Sequence, residues 1–570
     1  MKKRSGCLIV LGLLICLVAA LFLVTFISQK PVKNTVVEIK ISSRMAEERL
    51  TDFPERLLQG PVTTVKEVLD ILKLAASDSK ASGVILKIAP FDMGLAKVQE
   101  LRDAIEDFKR SGKFIFSYLE YGGNIEYYLA CAADKLYLMP QGNINLTGIK
   151  SEVYFYKGIF DKLDISADFE HIGKYKSAPE VLTRKEMSPA HREAVNSILD
   201  SYYEQFIAGI ASIRKLSKSQ VRNIIDQGIF LAEEALSQGL VDKLVYEDEF
   251  YDLVKKQNKG KLPIIQGRKY LPQAFWLPGA QFKPKIALIY ACGTIVSGSS
   301  SYNPLTGMLM GSETIAAAIK RARESSSIKA IIFRIDSPGG SAIASDVIWR
   351  ELILTKGKKP FIVSMSDVAG SGGYWIAMAA DKIVAQPGTL TGSIGVFAGK
   401  FNLKGLYQKL GISKEIISRG KHAEFYSDYR NFTEEEKEIL LKGIENTYHK
   451  FVSKVAQGRK LSYEQVEEIA QGRVWTGEQG KKLGLVDQLG GMDKAISLAK
   501  KAAGISPKID VALVVYPKAK TWTGLLFGSA FLSRINPIKQ IDPAVRLAAQ
   551  LQQLNRERFF LIMPYYLKFK

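Results

Sequence analysis

The chain has 570 residues, 47% of them hydrophobic and 24% charged, enough for two or more domains with full cores and unlike a disordered chain. It carries 79 Lys+Arg against 58 Asp+Glu, a formal charge of +21 spread along its length. That excess comes without zinc-ligand spacing or basic–aromatic interleaving, so nucleic acid is not the expected partner. The four cysteines, Cys7, Cys16, Cys131 and Cys292, form no CxxC and lie in apolar segments, which argues against a disulfide framework, a zinc site or any other metal centre.

Residues 1–6 hold Lys2, Lys3 and Arg4, and residues 7–28 (CLIVLGLLICLVAALFLVTFIS) contain no charge. A bilayer needs about 20 apolar residues, so this stretch is predicted to span the membrane with its basic end in the cytoplasm. No small-residue cleavage site follows it, and Ile15 is too bulky for lipidation at Cys16. The expectation is an uncleaved single-pass anchor in a bacterial inner membrane, with the remainder extracytoplasmic.

Beyond the anchor the chain repeats itself. GVILKI (83–88), KFIFS (113–117) and AADKLYLMP (132–140) return 247 residues later as AIIFRI, PFIVS and AADKIVAQP. IRKLSKSQV (213–221) and SQGLVDKL (237–244) return 245 residues later. Two copies of one domain are therefore expected, over 33–280 and 281–517, with a tail over 518–570. In each copy short β-branched runs (VVEIKI, 36–41; KIALIY, 285–290) alternate with longer helical patterns, which predicts βα units and parallel pairing. A glycine-bearing turn and an alanine-rich helix follow the third strand, and a charged segment around RKLS reads as paired helices. The fold class is α/β.

Three pieces of the second copy carry candidate chemistry. AIIFRIDSPGGSAIASDVIW (330–349) reads as strand, glycine turn and helix, and Gly339–Gly340 permit a close backbone approach. In PFIVSMSDVAGSGGYWIAMAAD (360–381) a strand feeds a turn that presents Ser371 at a helix start; an N-cap serine is the plain alternative. QPGTLTGSIGVFAGKF (386–401) is rich in Gly, Ser and Thr, and by itself reads as an irregular loop. In this order the three resemble signal peptide peptidase A in its long, tandem-domain form, peptidase family S49 of the Clp protease/crotonase-like superfamily. The likeness covers nearly everything after the anchor.

The resemblance implies two crotonase-like domains and a membrane-anchored serine peptidase without cofactor. It implies cleavage of leftover signal peptides by a Ser–Lys dyad, with Ser371 as nucleophile and a first-copy lysine in a YKSA stretch, Lys176, as base. It further implies Ser393 as the residue orienting the lysine and backbone N–H groups of Gly339 and Gly372 as the oxyanion hole. It also implies a ring-like homo-oligomer, a tetramer.

Comparing the copies sharpens this. Ser371 falls on Asn124 of the first copy, and DSPGG falls on APFDM (89–93). Conversely Lys176 falls on Ala423, while the alternative base Lys174 falls on another lysine, Lys421. One copy has the serine and the other the lysine, as one site shared between them would require. The four histidines, His171, His191, His422 and His449, lie in no glycine-rich or apolar motif with a nearby acid and read as solvated, although a Ser–His–Asp triad, which needs no sequence adjacency, stays open.

Two rival functions remain at this level: a crotonase-type enzyme acting on acyl thioesters, and a non-catalytic membrane scaffold. SSSYNPLTGMLMGS (299–312) reads either as a wall for apolar side chains or as a plain surface loop. The tail pieces GLLFGSAFLS (524–533) and RFFLIMPYYLKFK (558–570) fit lipid contact, a rim over the site, a subunit contact or ordinary packing on the second domain, and the sequence does not choose among them.

Overall fold

The computed structural model describes residues 32–48, 63–271, 283–303, 307–517 and 560–563. The anchor over 7–28 and most of the tail lie outside these residues. Among the described residues no helix is long and apolar enough to cross a membrane.

In the first half, strands β1 (Thr35–Arg44), β2 (Ala81–Asp92), β3 (Phe114–Leu119) and β4 (Lys135–Leu138) pair in parallel in that order. Short strands 243–244 and 264–266 complete the two edges. Strand β5 (Ser166–Ile172) leaves this sheet altogether. The second half repeats the order with β6 (Lys285–Cys292), β7 (Ile328–Ser337), β8 (Gly339–Ser341, outside the main sheet), β9 (Phe361–Gly370) and β10 (Lys382–Ala385). Strands β7, β9 and β10 each begin 247 residues after β2, β3 and β4, the offset read in the sequence. Their Ile, Val, Leu and Phe side chains are covered on both faces, as parallel strands flanked by helices require.

The RKLS segments are helix pairs, as expected: Pro189–Arg214 with Lys218–Gln227, and Glu434–Arg459 with Tyr463–Ile469. Ser188 and Thr433 cap the long members by accepting backbone N–H bonds. The alanine-rich stretch after Ser371 departs from expectation: it is a single helical turn, Gly372–Trp375, followed by turns. Its side chains from Tyr374 to Ala380 are buried on every side, so tertiary packing replaces a longer amphipathic helix.

A third sheet joins the halves. Strand β5 of the first half lies antiparallel to β12 (Val396–Asn402) of the second over seven residue pairs, from Ile172 opposite Val396 to Ser166 opposite Asn402. The glycine-rich stretch 386–401 is thus buried strand, with β11 (Leu390–Gly392) pairing to β9, and not a surface loop. The core of the first half accordingly includes Leu390 and Val474 of the second.

Candidate active site

The pairing of β5 with β12 carries the chain, four residues past Ile172, into the second half. There Gly173, at φ +106°, turns it, and Tyr175 N–H donates to the Gln471 carbonyl at 2.7 Å. Two second-half glycines make room for Lys176. A β-carbon at Gly472 would lie 2.5 Å from the Lys176 nitrogen, and one at Gly395 would lie 3.1 Å from Lys176 Cδ. Gly395 lies in the 386–401 piece, where the sequence assigns it no role, and Gly472 lies in none of the three pieces.

Ser371 follows β9 directly, at φ +54° and ψ −114°, a backbone conformation that non-glycine residues rarely hold. It is fixed by Ser371 N–H donating to Gly392 O at 2.8 Å, while its carbonyl accepts from Tyr374 and Trp375 at 2.9 Å each. Ser393, next to Gly392, is also at positive φ, +52°, and its N–H donates to Arg473 O at 2.7 Å. One short segment, 471–473, therefore holds both the lysine turn and the Ser393 turn.

These constraints bring the three side chains together. Lys176 Nζ stands 2.8 Å from Ser371 Oγ, 3.1 Å from Ser393 Oγ and 3.3 Å from the Ser393 carbonyl oxygen. All three residues are 0% exposed. Burial, with no carboxylate to oppose it, pushes the Lys176 ammonium well below the usual lysine range. A neutral amine on a serine hydroxyl can take its proton.

Gly339, at φ +104°, opens β8, and a β-carbon on it would meet the Gly372 nitrogen at 2.7 Å. The two glycines named in the sequence are thus neighbours beside Ser371. Gly339 N–H donates to Ser337 Oγ at 3.2 Å, a long bond that a developing oxyanion can outcompete.

The tail supplies strand β13 (Phe560–Ile562), antiparallel to β8 with Gly339 opposite Ile562, and touching β12 where Phe397 faces Phe560. Met563 N–H donates to Pro338 O at 2.8 Å. This piece of the tail packs on the second half, beside the turn at Gly339. An extended backbone fits beside Ser371, because one already lies there.

Other candidates are placed elsewhere. Lys174 is exposed, with Nζ 3.9 Å from Glu193, and Lys421 pairs with Glu435 at 2.6 Å. Asn124 is buried at the matching turn of the first half, its Nδ2 donating to Gly148 O at 2.8 Å. His171, His422 and His449 are exposed as expected, but His191 is not. It is fully buried with Nδ1 3.1 Å from Glu180 Oε2, because Glu180 reaches it from the next turn after Lys176 and also accepts from Ser188. Cys131 and Cys292 are buried free thiols. Of the 299–312 segment, Ser301–Asn303 and Gly307–Gly311 form an antiparallel pair joined to β8 through Thr294–Val296.

Against known proteins, the family model of peptidase family S49 matches residues 107–261 and 353–506, one segment in each half. A chloroplastic serine protease SPPA of Arabidopsis thaliana is 40% identical over 455 residues, 78% of this chain and 67% of that protein. Proteins named Protease 4 from Salmonella typhi and Haemophilus influenzae are 34% and 31% identical, over 77% and 76% of this chain and 72% of each of theirs.

Proposed function

The chain belongs to peptidase family S49 and is a protease; on that premise we propose that it is a serine endopeptidase working through a Ser371–Lys176 dyad. The observation that carries this reading is the 2.8 Å contact between a buried lysine amine of one half and a strained serine of the other.

The steps follow from the atoms present. Ser371 Oγ attacks the scissile carbonyl carbon as neutral Lys176 takes the hydroxyl proton. The tetrahedral oxyanion is held by N–H groups of Gly339 and Gly372. Lys176 then gives the proton to the leaving amine, and the C–N bond breaks to leave an acyl-Ser371 ester. Water attacks the ester, its proton passing to Lys176 and on to Ser371 Oγ as the acid departs. Ser393 Oγ, 3.1 Å from Nζ, holds the amine's lone pair toward Ser371. The buried site suits apolar segments, and the uncharged stretch 7–28 would keep the enzyme at a membrane where signal peptide remnants lie. Assembly as a homo-oligomer belongs to this reading through the resemblance.

A fluorophosphonate probe tests it. Mass spectrometry is expected to find the adduct on Ser371 alone, and no adduct in Ser371→Ala. No labelling of a folded parent chain, or labelling at another serine, would overturn the reading.

Strand β13 occupies the edge of β8 that a peptide would use. Ending the chain at residue 557 should therefore lower KM for peptide substrates several-fold at nearly constant kcat. A raised KM in a variant with the parent's circular dichroism would mean that β13 builds the site and does not compete for it.

A further inference from the structure

Strands β7 and β9 deliver the oxyanion turn and the nucleophile, so their relative offset sets the active site. Their ladder is broken just before it gets there. Ile335 faces Met365, but the next pair is Ser337 with Ala369, so β9 carries two extra residues across the break. Asp336 and Asp367 lie in that irregular stretch, three residues before Gly339 and four before Ser371.

Backbone pairing is interrupted between Ile335–Met365 and Ser337–Ala369, and side chains span the gap. Asp336 Oδ1 accepts from Val368 N–H at 3.2 Å, standing in for a missing ladder bond. Lys97, on the first-half helix Leu95–Lys109, bridges the two strands: Nζ is 2.6 Å from Asp336 Oδ2 and 3.1 Å from Asp367 Oδ2. Glu47 Oε2 stands 3.9 Å away and accepts from Ser366 Oγ, while Glu47 Oε1 accepts from Arg334. Asp367 in turn caps the helix that carries Lys97, accepting from Gly94 N–H at 2.9 Å and Lys97 N–H at 3.0 Å. Lys97 is 8% exposed, so its carboxylate partners are little screened by water.

The repeat shows that this bridge, like the dyad, exists only across the halves. Lys97 corresponds to Ala344 in the second copy, and Asp336 corresponds to Ala89 in the first. We propose that Lys97 is a positioning residue: by joining Asp336 to Asp367 across the broken ladder, it sets the Gly339 turn against Ser371. The first half then contributes both the base and the clamp that aligns the oxyanion hole. This rests on the peptidase reading above.

The test compares Lys97→Met with the parent chain on one peptide substrate, the fluorophosphonate and a peptide aldehyde. Misalignment of about 1 Å costs on the order of 10²-fold in rate. Lys97→Met should lose about 10- to 100-fold in kcat and in labelling rate, with a parallel loss of aldehyde affinity and KM within about threefold. Lys97→Arg, which keeps the charge, should recover part of the loss. A merely structural lysine would lower Tm and leave kcat per labelled active site unchanged, and that result would overturn the proposal. Should Lys97→Met fail to fold, Asp336→Asn keeps the Lys97–Asp367 pair and is measured the same way. Parent-like kcat and aldehyde affinity in Asp336→Asn would be equally fatal. A parent chain that the probe does not label would instead remove the peptidase reading itself.

Discussion

Lys176→Met is expected to abolish peptide hydrolysis while leaving a folded protein whose stability depends less on pH. General-base catalysis is worth roughly 10²–10⁴-fold, and among the described residues no second base hydrogen-bonds Ser371 Oγ. The stability effect follows from burial. In the folded chain Lys176 is held well below its ordinary value, whereas in the unfolded chain it titrates near about 10.4. Between those two values the unfolded chain binds one more proton than the folded chain, so stability rises with pH. Burial of this lysine thus costs most at low pH and nothing above about 10.4. Methionine removes that cost and gives up the amine's hydrogen bonds to Ser371 and Ser393, each worth about 1 kcal/mol. The stability of the variant relative to the parent must therefore decline as pH rises, by up to about 1.4 kcal/mol per unit. Urea midpoints between pH 6 and 11 measure this directly. A difference that stays flat with pH would mean that Lys176 is charged when folded, and a charged amine is no base.

Gly339→Ala carries the second large effect. Its φ of +104° disfavours any side chain, and the added methyl would sit 2.7 Å from the Gly372 nitrogen, against one of the two N–H groups proposed to hold the oxyanion. The same methyl would lie 1.8 Å from the Leu561 carbonyl oxygen, so strand β13 would have to shift. Alanine keeps its N–H, so the loss comes from pushing the two donors out of place; an oxyanion donor out of reach costs about 10²–10³-fold in kcat, and the strained backbone costs about 1–3 kcal/mol of stability. Both are expected, read as kcat and as the urea midpoint. A kcat within about threefold of the parent would place the oxyanion elsewhere.

Much of this site was legible because a duplicated chain carries its own comparison. Asn124 opposite Ser371, and Ala423 opposite Lys176, divide the chemistry between the copies, and the matched strand starts follow the same register. What escaped the sequence depends on contacts between the copies. Gly472 and Gly395 look like ordinary turn glycines until the lysine backbone and stem are seen against them. Strand β5 carries no strong alternation, and its partner β12 lies some 230 residues on, so their pairing leaves no local pattern. His191 was read as solvated because its acid, Glu180, meets it only through the turn that follows Lys176. The short helix after Ser371 was overestimated because a buried apolar run resembles a helix whichever way it folds.

The most direct test of a site shared between the two halves is the pH dependence of fluorophosphonate labelling at Ser371, in the parent chain and in Lys176→Met. The parent's rate should rise with pH through a midpoint well below the ordinary lysine value, as the buried amine loses its proton. In Lys176→Met that rise should be absent and labelling slow at every pH. Labelling of Lys176→Met with the parent's rate and the parent's midpoint would show that another group activates Ser371, and would contradict the shared site.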